Sequence, residues 1–247
     1  MMNTLKSEFR KLLTVRSTYF IVLICLAMVA LFAGYGDGFR ATAANVQDPS
    51  WLAHESYSAI TFVGLIAALA GLLLFGHEYR YNSIMYTLTS SNNRLKSLLA
   101  KVLVVSTFAL VTCIIFAFFS PLCSIIGIHL AGHTLGPQVF NIWEVLWHCM
   151  FVGWGYAMFA FILVAIIRSQ VGAIVAYLMI PLIGENIIAN IFKSTAHYMP
   201  FMSLQLVTPA GPVINGASLQ HNITVVLAYV VVGLAASAIL FSKRDAN

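Results

Sequence analysis

Along the chain, apolar residues gather into six runs, near residues 17–35, 57–76, 102–126, 145–167, 171–191 and 222–241. Each is close to or above the roughly 20 residues a helix needs to cross a hydrocarbon core. The runs are continuous rather than alternating. They therefore predict helices, which pair their backbone groups internally, and not the strands of a barrel. The expected fold class is all-α, a polytopic membrane protein of six transmembrane helices in one domain over residues 1–247. The first run follows a basic segment, as a signal peptide would. It is too long for that role and lacks a small-x-small site before the polar stretch starting at Gly34, so it reads as a retained span.

The segments between the runs are uneven. In residues 3–16, Leu5, Phe9, Leu12 and Leu13 recur at helical spacing, while Lys6, Arg10 and Lys11 lie elsewhere around the helix. This predicts an amphipathic helix in the membrane interface, with Phe9, Arg10 and Lys11 its candidate residues, serving as an anchor, as a docking surface for a cytoplasmic partner, or as both. Residues 77–101 form a connection longer than span-joining requires, with Glu78 and Arg80 at its start. Ser90 or Asn92 there could cap a short helix holding Arg94, Leu95, Lys96, Leu98 and Leu99. The turn Arg168-Ser169-Gln170 is so short that spans four and five must be antiparallel neighbours.

Composition makes the membrane assignment compelling. Of 247 residues, 60% are hydrophobic and 9% charged, with a mean hydropathy of +0.90. Soluble domains carry about 25% charge. Charge also predicts orientation, because Lys and Arg flanking spans stay preferentially cytoplasmic. With the N-terminus inside, eleven bases fall on one side (Lys6, Arg10, Lys11, Arg16, Arg80, Arg94, Lys96, Lys101, Arg168, Lys243 and Arg244) and only Arg40 and Lys193 on the other. Both termini are then expected in the cytoplasm. The formal charge of +5 is an orientation signal with some affinity for anionic lipid, not a nucleic-acid patch.

Candidate chemistry is sparse. Glu185 is the one formally charged residue within a span, with Asn186, Asn190 and Pro181 nearby. A carboxylate at that depth must be paired, protonated or wetted. It is either a structural contact between helices or part of a substrate route or subunit seam. His129 and His133 have metal-like spacing, but Gly132 and Gly136 argue against a helix there, and no metal residues are assigned. Cys25, Cys113, Cys123 and Cys149 all lie in spans and are expected as free thiols. Trp51, Trp143 and Trp147 fit an outer aromatic belt. The spacings Gly64 to Ala68 and Ala67 to Gly71 favour close helix packing. Residues 192–221, with Pro200, Pro209 and Pro212, form an outer loop too broken to span.

The order of SEFRKLLTVRS, a second span ending in GHEYRYNSI, then LTSSNNRLKSLLAK and RSQVGAI resembles the permease subunit of type-2 ABC exporters across essentially the whole chain. Asn82-Ser83 stands where a Gly-Thr-like pair is usual. The resemblance implies two permeases forming a twelve-helix core, each contacting a separate ATP-binding subunit. It would place Glu78 and Arg80 at that contact, Arg94 and Lys96 in or beside a coupling helix, and Arg168 in a second, smaller contact. It also implies short re-entrant helices in the outer loop.

No GxxxxGK[ST] run occurs, so Mg-ATP is expected in the partner and no cofactor in this chain. No nucleophile with a base converges at depth, and no catalytic residues are assigned. The mostly apolar walls, and the likeness to compact bacterial permeases of antimicrobial export, suggest hydrophobic or amphipathic cargo such as a peptide, drug or lipid. The alternatives are an ion- or proton-coupled secondary transporter, which normally needs more intramembrane ionisable groups, and a non-transporting membrane scaffold.

Overall fold

The computed structural model describes residues 2–14, 16–81, 94–211 and 218–243, and every regular element among them is helical. Helix α1 (Met2–Thr14) precedes α2 (Arg16–Val29), which continues with π-type hydrogen bonding over Ala30–Phe39. A single turn, α3 (Ala43–Val46), leads to α4 (Trp51–Arg80), α5 (Arg94–Leu130) and α6 (Ile142–Ile167). Helix α7 (Gln170–Met179) passes through a π-type turn, Ile180–Gly184, into α8 (Glu185–Ile191). A 3-10 segment (Lys193–Tyr198), α9 (Pro200–Gln205) and α10 (Leu219–Lys243) follow.

Five stretches among the described residues are long and apolar enough to cross a membrane: Thr18–Phe39, Leu95–Leu130, Ile142–Ile167, Gln170–Ile191 and Leu219–Phe241. The remaining apolar run, 57–76, lies inside the 30-residue helix α4. Ser90 and Asn92 lie outside the described residues. Arg94–Leu99 are not a separate short helix but the first turns of α5. Nothing between Arg94 and Val102 breaks a helix, and Leu98 and Ala100 already belong to its buried face.

Helix α6 is the hub, with α4, α5, α7 and α10 packed around it. Its Tyr156, Met158, Phe161 and Val164 are fully buried. Lipid tails are as apolar as leucine, so helices in a membrane associate through close van der Waals contact, which small residues permit. A Cβ on Gly64 of α4 would stand 2.9 Å from the Tyr156 ring and 3.4 Å from Gly153 Cα. A Cβ on Gly153 would collide with Cys113 Sγ of α5. The α6–α7 turn is as tight as its sequence requires: Arg168 takes φ 58° and Ser169 Oγ accepts from Gly172 N–H.

The first span runs further than its sequence suggested. Helical structure continues through Gly34, Gly36, Asp37 and Gly38 to Phe39, because Gly34 and Gly38 press against α5. A Cβ on Gly38 would lie 3.0 Å from Gly127 Cα, and one on Gly127 would strike the Gly34 carbonyl oxygen. This close approach offsets the poor helix propensity of glycine. One further expectation is corrected. Trp51 is buried with Val46, Leu52 and Ile128 rather than standing in an exposed belt, whereas Trp143 is 73% exposed. Helix α5 ends at Leu130, before Gly132 (φ 79°), so His129 and His133 do not share a helical face. The four cysteines are free and buried.

Replacing Gly127 with valine forces the α2 and α5 backbones apart. The expected loss is about 1–3 kcal/mol, read by thermal unfolding in detergent. Gly36→Ala is the control, since the nearest atom to a Cβ there is the Leu31 carbonyl oxygen at 3.9 Å, and it should leave the transition in place.

Candidate functional site: a buried ion cluster

Helix α1 carries two faces besides its apolar stripe. On one flank, Glu8 and Lys11 are three residues apart and pair at 2.8 Å. Both turn toward the ends of two long helices. Lys11 Nζ lies 2.7 Å from Glu78 Oε1, near the end of α4. Lys101 Nζ, in the second turn of α5, lies 2.6 Å from Glu78 Oε1 and 3.2 Å from Glu8 Oε2. The Phe75 ring sits 5.2 Å from the same ammonium. Two carboxylates and two ammonium groups thus join three elements with no net formal charge.

Burial gives this cluster its weight. Glu8, Glu78 and Lys101 are 3%, 6% and 3% exposed, while the Lys11 side chain is 42% exposed and forms the wet edge. An exposed ion pair contributes at most about 1 kcal/mol, but stripping one partner from a buried one leaves an uncompensated charge. Burial pushes the Glu78 carboxyl up, but Lys101 and Lys11 outweigh it and hold the group below its ordinary 4.5. Burial likewise works against the Lys11 ammonium, but the hydrogen bonds it donates to Glu78 and Glu8 hold its pKa above 10.5. Among the described residues, Glu78 Oε2 has no hydrogen-bond partner.

The other candidates spread around this end. Arg80 is exposed, with its guanidinium 5.5 Å from the Tyr81 ring. Arg10 and Lys96 are exposed and Phe9 half-buried. Arg94 opens α5, and its side chain lies outside those described. Arg168 is turned inward, donating to the Leu240 carbonyl at 2.8 Å and clamping the α6–α7 turn to α10. Sequence reasoning singled out Lys11 and Glu78 but not Glu8 or Lys101. A signal existed: Lys101 shares a helical stripe with Leu98, Val104 and Val105, and Glu8 is one turn from Leu12, all of them buried.

Glu185 lies at the opposite end of the bundle and is 5% exposed. Its carboxylate accepts from Phe201 N–H at 3.0 Å and from Met202 N–H, the unpaired donors at the start of α9. It therefore fixes α9, whose Phe201 and Leu204 are buried against Tyr156, Phe159 and Tyr177 of α6 and α7. Asn186 and Asn190 are exposed and donate to carbonyls of their own helix, Asn186 to Pro181 and Leu182, Asn190 to Asn186. The Glu185 carboxylate is thus met by two backbone N–H groups, and the two asparagines bond to carbonyls of the π-type turn and the helix after it.

The described residues thus define a helical, multi-pass membrane protein with a charged joint at one end of the bundle. The family model for the ABC-2 family transporter protein matches residues 4–187, from α1 into α8. The chain belongs to that family, whose membrane proteins work with ATP-binding subunits. None of the curated proteins matches it.

Lys101→Met and Glu78→Gln should each cost about 3–5 kcal/mol, and the double variant less than their sum, in unfolding experiments forming a double-mutant cycle. The pH dependence follows from the same groups. Glu78, held low, contributes stability above 4.5 that is lost as pH falls through its depressed value. Lys11, held high, contributes below 10.5 and loses it as pH rises through its raised value. The melting difference between the parent and the double variant should therefore be flat from about pH 5 to 10 and narrow outside it.

Proposed function

We propose that this chain is the membrane subunit of an ATP-driven exporter, with six spans, both termini in the cytoplasm and α1 lying in the inner interface of the cell membrane. Helix α4 supplies the sixth span. Two such subunits, the same or related chains, form a twelve-helix core, and each engages an ATP-binding subunit that holds Mg-ATP. The cargo is hydrophobic or amphipathic: an antimicrobial peptide, a drug or a lipid.

The observation that carries this reading is the ion cluster. An ATP-driven partner can move the spans only through elements that do not slip, and coupling between sites needs a contiguous, discrete structural connection. Glu8, Lys11, Glu78 and Lys101 tie α1 to the ends of α4 and α5, which flank the connection over residues 82–93. Arg80, Arg94 and Lys96 then belong to the surface that meets the ATP-binding subunit, and Arg168 stiffens the neighbouring turn. Glu185 holds α9 as a cap at the exit side.

Reconstitution decides the matter. The chain with its ATP-binding subunit should move cargo in proteoliposomes, and Arg94→Glu with Lys96→Glu should lose transport or subunit association while the fold survives. Proton- or sodium-driven flux by the chain alone would establish a secondary transporter instead. Normal association and transport in the double variant would remove the docking assignment.

A further inference from the structure

The apolar stripe of α1 beside the joint closes onto the bundle at Leu12 but not at Leu13. Between α1, the first turns of α2 and α5 lies a groove of about 500 Å³, walled by Phe9, Leu12, Leu13, Leu23, Phe108 and Val111 among others. The volume is that of an ordinary ligand site. Its wall is almost wholly apolar, and Leu13, Leu23 and Val111 remain 59%, 64% and 51% exposed. The Tyr19 hydroxyl donates to the Leu13 carbonyl at 2.6 Å across the α1–α2 elbow, so the angle that opens the groove is held.

The rim has a sign. Lys6 and Arg10 lie on the flank of α1 away from Glu8 and Lys11, and Arg16 stands at the elbow; all three are exposed. None pairs with a described acid, and the only carboxylate of α1, Glu8, is consumed by Lys11 and Lys101. The groove thus combines an apolar trough at the start of a span with exposed bases that neighbour its lining along the chain, Arg10 beside Phe9 and Arg16 two residues before Thr18. Interfacial bases attract anionic lipid headgroups, and buried methylenes supply the remaining affinity.

We propose that this groove is a binding site for one anionic phospholipid, with an acyl chain in the trough and the phosphate on Arg10 and Arg16. The site is independent of the transport reading; only its assignment to the inner leaflet rests on the orientation proposed above. Bound lipid would brace α1 beside the ion cluster.

The test is native mass spectrometry of the detergent-purified full chain, titrated with phosphatidylglycerol or phosphatidylcholine of identical acyl chains. One phosphatidylglycerol should be retained with about tenfold preference. Val111→Trp, which fills the trough from an exposed position, should abolish retention of both lipids. Leu23→Trp is the second trough variant, and lipid-free melting curves confirm that each folds. Arg10→Gln with Arg16→Gln should keep the acyl chain but bring the preference close to one. The proposal is overturned if no lipid is retained, if both lipids bind equally to the parent, or if trough variants that melt normally retain lipid. A dimer lost on Val111→Trp would also overturn it, with a second copy of the chain as the occupant. None of these readouts requires ATPase or transport activity.

Discussion

A charge taken out of water costs several kcal/mol unless an opposite charge meets it in good geometry. That constraint organises the α1 end of this protein. Lys101 is placed on the packed face of α5, Glu8 on the packed face of α1, and Glu78 at the end of α4, so none is tolerable without the others. The three helices must arrive together. Helix α1 is thereby given one position and one rotation about its axis.

The rest of the bundle is held by shape. Helix α6 accepts neighbours on all sides because its contacts are made at glycine and small side chains: Gly153 against Cys113, Gly64 against Tyr156, and Gly155 against Leu204. The second close crossing, of Gly34 and Gly38 with Gly127 and Ser124, carries α2 as a helix through a segment whose composition resembles a loop. Packing without a hydrophobic driving force thus depends on fit, and positions that lack a Cβ are where the fit is least adjustable.

The two ends of the molecule use their acidic residues differently. At the α1 end, carboxylates meet ammonium groups of other helices. At the far end, Glu185 meets the free N–H groups of α9, an arrangement the helix dipole also favours. The far end is therefore pinned by a cap and by the aromatic cluster beneath it, and the α1 end by an ion network. In the permease reading, the network stands where force would enter and the cap where cargo would leave.

The sequence alone determined the class, because the spacing and length of the apolar runs admit only membrane helices, and five of the six appear as stretches fit to span, with the other inside α4. It also determined which end is basic and that α6 and α7 must be neighbours. The motif order pointed to the ABC-2 family, and the family match over residues 4–187 bears that out. Tertiary structure decided what the few charges do. Glu8 and Lys101 are 93 residues apart, and a lysine in an apolar helix reads only as a charge near a span end until the carboxylates opposite are seen. Glu185 shows the same limit: its partners are backbone N–H groups, present in every residue and invisible in composition. Charge pairing and close helix contact are relations between distant segments, so one chain's residue pattern states their ingredients but not their partners.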